Sequence, residues 1–256
     1  MPFAYAGIDE AIGRDGLRMV VVGGIPSPWS EAAKGIFHVK RIEWTAVRLD
    51  YESTALKAWT GQRNAPVAVY GSEKPRQGWA EILLLAERLA PQPALLPADP
   101  AERALAFGLA HEICGEGGLG WTRRLQLIHA GLVGTGGFAA PVAQYLARKY
   151  GYTPAAGAAA GGRVAALLGL LAGRLAAQQA AGSDYYLGAE LTAVDIYAAA
   201  FMTLFRPLPQ ELCPMDAATR AAFGSLDAGT AAALDPRLLA HRELIYTRHL
   251  ELPLSL

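Results

Sequence analysis

The chain has 256 residues, 52% of them hydrophobic and 18% charged, with 23 basic side chains against 23 acidic ones. That length supports one large or two modest domains with a real core, and a net charge of zero leaves no electrostatic footprint for nucleic acid. Two distant cysteines, Cys114 and Cys213, and histidines in no zinc spacing argue against a disulfide framework or a metal motif and fit a reduced, cytoplasmic setting.

Residues 1–16 form a polar, glycine-punctuated lead-in with a short helix near Asp9–Gly13, and no signal-peptide pattern is read in the first ten residues. Arg18–Val22 is an apolar, β-branched strand that ends in Gly23-Gly24. A turn with two prolines follows and carries the hydroxyl of Ser27, and a helix runs from Trp29 to Arg41. Ser30 and Glu31 suit the free donors of its first turn. Strand, polar turn and helix start together make a common place to hold an anion.

Glu43–Leu49 alternates as a strand, so the first three elements form a βαβ unit with a parallel pair. Tyr51–Thr60 reads as a helix. Ala65–Tyr70 reads as a strand entered at a proline, a position where the missing N–H costs nothing and where a cis bond would be found. Gly71–Pro75 is a turn before a very short strand, and Trp79–Leu89 is a helix. Pro91, Pro93, Pro97 and Pro100 then break the pattern and mark a linker.

Beyond the linker the chain is rich in Ala, Leu and Gly, with no convincing strand. Helices are expected near 100–115, 121–131, 139–150, 162–181, 192–205 and 235–246, with Pro154–Gly162 a loop or poorly capped helix start and 206–234 loosely helical. No apolar run reads as able to span a bilayer without a charge or glycine interrupting it. Thr192 and Asp195 make a capping box, with Thr192 accepting from the N–H three residues on and Asp195 reaching back. Gly115–Gly120 satisfies G-x-G-x-x-G but follows a helical pattern, so it reads as a helix–helix loop and not as a dinucleotide fingerprint. His111-Glu112 opens like a zinc-protease motif, but Gly115 stands where the second histidine belongs. Trp121, His111 and Tyr145 read as core or interface residues with an acceptor pocket as the alternative, and Arg123-Arg124 as a solvated face.

Four features in this order carry a family resemblance: Ser27-Pro28-Trp29-Ser30 opening the first helix of the βαβ unit; Ala65-Pro66-Val67 at a cis-proline position; Leu95-Leu96-Pro97 with Asp99-Pro100 at the linker; and Leu191–Ile196 late in the helical part. Across roughly residues 18–205 the chain resembles the glutathione S-transferase superfamily, in its serine-type, bacterial form. The resemblance implies an α/β thioredoxin-like N-terminal domain over 17–92 after a 1–16 extension, and an all-α C-terminal domain over 98–256. It also implies a cytoplasmic homodimer that uses glutathione as co-substrate and a small-molecule electrophile as acceptor, with no metal and no nucleic-acid or membrane partner.

The resemblance places Ser27 where the hydroxyl donates to the glutathione thiolate, since a charge-assisted hydrogen bond favours the ionised thiol. It places Trp29, Asn64, Ala65, Pro66, Gln77 and Gly78 around the rest of glutathione, with the Ala65 backbone pairing with the peptide in a strand-like way and Arg63 or Asn64 near its glycyl carboxylate. Members usually carry an acidic residue followed by serine at the start of the next helix, and Gln77-Gly78 stands there instead. Two alternatives share the same fold: a non-catalytic interaction or regulatory module, and a glutathione-dependent lyase or isomerase.

Overall fold

The computed structural model describes residues 4–256; Met1–Phe3, part of the expected extension, lie outside the described residues. Three strands, β1 (Leu17–Val21), β2 (Thr45–Arg48) and β3 (Val67–Tyr70), form one sheet in the order β2-β1-β3. β1 and β2 are parallel, with Val20 opposite Val47, while β3 runs antiparallel to β1. All five residues of β1 are buried, as a central strand covered on both faces requires, and its one charged residue, Arg18, donates to the Gly16 and Gly71 carbonyls at 3.0 Å. The expected short fourth strand is a single bridge between Ala68 and Arg76.

One face of the sheet carries Val20, Val47, Val67 and Val69 against α1 (Ile8–Gly13) and α3 (Thr54–Thr60), whose Ala11 and Leu56 are fully buried. The other face packs Leu17, Met19, Val21 and Ala68 against α2 (Pro28–Val39) and α4 (Trp79–Leu89). The lead-in before β1 has a structural role that its sequence does not announce. The Ala6 N–H donates to the Ala46 carbonyl at 2.9 Å, and Ala6 bridges Val47 on the free side of β2. It thus covers a sheet edge that would otherwise offer unpaired backbone groups. α3 starts three residues later than expected, because the Ser53 hydroxyl caps it by accepting from Leu56 N–H at 3.0 Å.

The helical half comprises α5 (Pro100–Cys114), α6 (Leu119–Val133), α7 (Ala140–Lys149), α8 (Pro154–Ala180), α9 (Ala193–Phe201) with a 3₁₀ turn to Leu204, α10 (Ala217–Gly224), α11 (Ala228–Ala233) and α12 (Pro236–His249). The reading of Pro154–Gly162 as a loop or poorly capped start is corrected. The helix begins at Pro154, where proline needs no N–H partner, and Thr153 Oγ1 accepts from Ala156 N–H at 3.1 Å. By length and composition alone α8 is apolar enough to cross a membrane, despite its glycines and arginines. In the fold its Val164, Leu167, Leu168, Leu171 and Leu175 stripe is buried against the neighbouring helices.

The expected capping box at α9 is formed, with the Thr192 side chain facing the Asp195 N–H and Asp195 reaching back to Thr192 N–H at 2.8 Å, and the Thr192 hydroxyl also lies 2.8 Å from that carboxylate. Fully buried Asp195 also accepts from Tyr186 N–H at 2.8 Å and contacts His241 Nε2 at 3.0 Å. The carboxylate therefore ties α9, the Tyr186 loop and α12 together.

Several bonds join the two halves. Buried Lys40 donates to the carbonyls of Ala90 and Pro93 at 2.7 and 2.8 Å and pairs with Glu87 at 2.6 Å, while Glu87 accepts from Leu95 N–H at 3.0 Å. Leu95 in turn accepts from Ala193 N–H at 2.9 Å. Trp29 Nε1 donates to Cys114 O at 2.9 Å, and the Tyr197 hydroxyl donates to Trp79 O at 3.1 Å.

Candidate functional site

A cavity of about 650 Å³ opens between the two halves. On the sheet side it is lined by Ser27, Trp29, Asn64, Ala65, Pro66, Gln77 and Gly78, so all seven residues singled out in the sequence meet in one place. Three turns bring them there. The β1–α2 turn puts Ser27 at the N-cap of α2, the turn before β3 presents Ala65 and the cis Ala65–Pro66 bond, and Gly78 is the N-cap of α4.

Their polar groups are in different states. The Ser27 side chain makes no capping bond and has no hydrogen-bond partner among the described residues, although the residue is largely buried. An uncommitted hydroxyl beside the free donors of a helix start is a ready donor to an anion. The Ala65 backbone likewise has no hydrogen-bond partner among the described residues. Gln77 is already committed, with Nε2 donating to Thr60 O at 2.9 Å. At Gly78 an added Cβ would collide with the Glu81 carboxylate, so this side chain lies over the start of α4. The Trp29 indole N–H is taken by Cys114 O, leaving its ring, edge-on to Phe201 at 4.9 Å, as the lining surface. Arg63 lies in an adjoining opening with Tyr51, Glu52, Asn64 and Lys149. Cys114 lines the cavity too, but burial pushes its thiol well above the usual range, so it stays protonated and unreactive.

On the helical side His111, Trp121 and Tyr145 line the cavity, which is the alternative given for them above to a core or interface role. Arg123 and Arg124, expected on a solvated face, are 1% and 9% exposed. The α6 backbone enters tightly packed ground, since Gly120 lies so close to Phe201 that a Cβ would collide with the ring, and the two arginines follow it inward. Arg123 is saturated. It donates to Leu204 O at 3.0 Å, Phe223 O at 3.2 Å, Ser225 O at 2.6 Å and Gln126 Oε1 at 2.6 Å. Burial lowers its pKa to about 10, which leaves it charged at neutral pH.

Arg124 is different. It lines the cavity, stands over the rings of Phe223 at 4.8 Å and Phe138 at 5.5 Å, and makes no hydrogen bond or ion pair among the described residues. Lys149 lines the same wall with its ammonium 5.5 Å from the Tyr51 ring centre, and burial followed by Arg124 lowers its pKa. The glycine-rich 115–118 segment is a tight connection between α5 and α6. A side chain at Gly118 would meet the carbonyls of His111 and Glu112 at 2.7 and 2.8 Å.

No protein-family model matches the chain, and no curated protein matches it. Solved structures do. A glutathione transferase family member from Pseudomonas fluorescens, solved with two glutathione bound, is 13% identical with a TM-score of 0.63 over 96% of this chain and 95% of that one. A glutathione S-transferase domain-containing protein from Marinobacter aquaeolei is 17% identical with a TM-score of 0.63, over 90% and 98%. A glutathione S-transferase from Methylobacterium radiotolerans, solved with glutathione sulfonate, is 18% identical with a TM-score of 0.56, over 91% of each chain. At these identities the likeness is one of fold. The chain has the glutathione transferase fold, a thioredoxin-like half followed by a helical half.

Proposed function

We propose that the protein binds glutathione on the sheet side of the cavity and stabilises its thiolate for attack on a hydrophobic electrophile held by the helical side. The observation that carries this reading is the Ser27 hydroxyl, which lines the cavity at the N-cap of α2 with its hydrogen-bonding capacity unspent. In this reading Ser27 donates to the sulfur, the start of α2 adds its positive end, and the bound thiol loses its proton to solvent at a lower pH than in water. The thiolate forms a C–S bond to the electrophilic carbon, and a halide leaves or a proton is taken up at the neighbouring carbon. The free Ala65 backbone pairs with the tripeptide, and Asn64 reaches its glycyl end. Pro66 and the Trp29 ring pack the sheet side of the cavity, and the first N–H groups of α4 at Gly78 face the γ-glutamyl carboxylate. The 1–16, 17–92 and 98–256 boundaries, a cytoplasmic location and a homodimeric state belong to the same reading.

Calorimetric titration with reduced glutathione tests it, together with the ultraviolet absorbance of the bound thiolate against pH. The thiol pKa should fall about one unit or more below its free value of ~8.5, and Ser27→Ala should return most of that shift and slow thiol addition about tenfold. No heat with glutathione, or a thiol pKa that Ser27→Ala leaves unchanged, would remove Ser27 from the chemistry.

A further inference from the structure

Arg124 is a permanent cation with no counter-charge among the described residues. Its guanidinium cannot shed its proton at any physiological pH, and the residue is 9% exposed. Its Nε is buried without a hydrogen-bond partner. The rings of Phe223 and Phe138 hold it through their faces, which leaves the N–H edge undirected at any protein acceptor. Lys149 adds a second positive charge on the same wall. The carboxylates nearby do not answer them. Glu116 lines the cavity and Glu52 the adjoining opening, and among the described residues neither forms an ion pair with Arg124 or Lys149, while Glu112 is taken by Arg163. A buried, unpaired charge is costly, and a planar donor fork matches an oxyanion.

We propose that the acceptor bound at the helical end of the cavity is an apolar or aromatic molecule carrying an oxyanion such as a carboxylate, with that oxyanion on Arg124 and Lys149 and its body against Phe138, Phe223 and Tyr145. This names the acceptor class for the thiol-transfer reading above and rests on it only for what happens at the other end of the cavity.

The test uses a matched pair, 4-chloro-3-nitrobenzoate and its neutral amide, titrated calorimetrically into the full chain without glutathione. The benzoate should bind wild type about tenfold or more tightly than the amide, the increment expected of hydrogen bonds to a charged group. Arg124→Gln should bring the two within about twofold while leaving the amide unchanged, and Lys149→Gln should cut the benzoate about threefold. Equal affinities in wild type, or a preference that survives Arg124→Gln, would overturn the proposal. Should Arg124→Gln show no cooperative melt, the wild-type pair and Lys149→Gln decide it. Glutathione is titrated separately. Anion preference without glutathione binding upholds this site and removes the thiol reading, and the converse removes this site alone. Loss of glutathione affinity in Arg124→Gln would assign the cation to the thiol's own carboxylate and overturn the proposal.

Discussion

The two faces of α6 put neighbouring arginines to opposite uses. On one face Arg123 meets three carbonyls and the Gln126 amide oxygen, and Gln126 passes the network on to Asp227 at 2.8 Å and Thr230 at 2.7 Å. On the other face Arg124 stands over aromatic rings and, among the described residues, has no hydrogen-bond partner. Phe223 joins the two, because its carbonyl accepts from Arg123 while its ring lies under Arg124. Burial of both therefore does not mean one purpose for both. A saturated guanidinium holds the wall of the cavity in place, and an unsaturated one marks where that wall is meant to be met.

The largest effect should come from removing the saturated one. Arg123→Met leaves the Leu204, Phe223 and Ser225 carbonyls without donors, at about 1–3 kcal/mol each, so a loss of roughly 3 kcal/mol or more and a clear fall in Tm are expected. Arg124→Met removes a buried charge that has ring faces but no acceptor or counter-charge among the described residues, so without ligand its Tm should stay level or rise. Equal falls for the two variants in a thermal melt would break the comparison.

A smaller effect sharpens it. The Asp227 carboxyl is held below the ordinary range, chiefly by the Thr230 N–H that it caps, with the Thr230 hydroxyl, Gln126 and Arg123 adding to this. A carboxyl depressed in the folded state contributes stability that is present above its unfolded pKa of ~3.9 and is lost as pH falls through the folded value. Asp227→Asn keeps a cap but not the charge. Because the side chain is largely exposed, the change should be only a few tenths of a kcal/mol near neutrality, seen as a shallower loss of Tm on acidification.

The sheet side of the cavity was legible through the family resemblance, whose motifs sit in turns, where Ser27, Pro66 and Gly78 have local reasons to be where they are. The helical side was not legible, because its lining comes from α5, α6, α7 and α10 and depends on how those helices cross. Arg123-Arg124 shows the limit. A charged pair on a helix reads as solvent-facing, yet its neighbours Leu119, Leu127 and Ile128 are apolar and buried, and that setting was the available signal. The start of α8 failed for another reason, since an Ala/Gly-rich run looks unstructured until Thr153 and Pro154 are read as cap and first residue.

The lysine clamp on the linker has a kinetic consequence. With Lys40 bonded to Ala90, Pro93 and Glu87, and Leu95 tied to the same clamp through its N–H bond to Glu87, the two walls of the cavity are fixed before anything enters. Ligand capture then needs no closing step. In stopped-flow mixing the observed rate should climb in proportion to ligand concentration without levelling off, as for a preformed slot rather than a jaw.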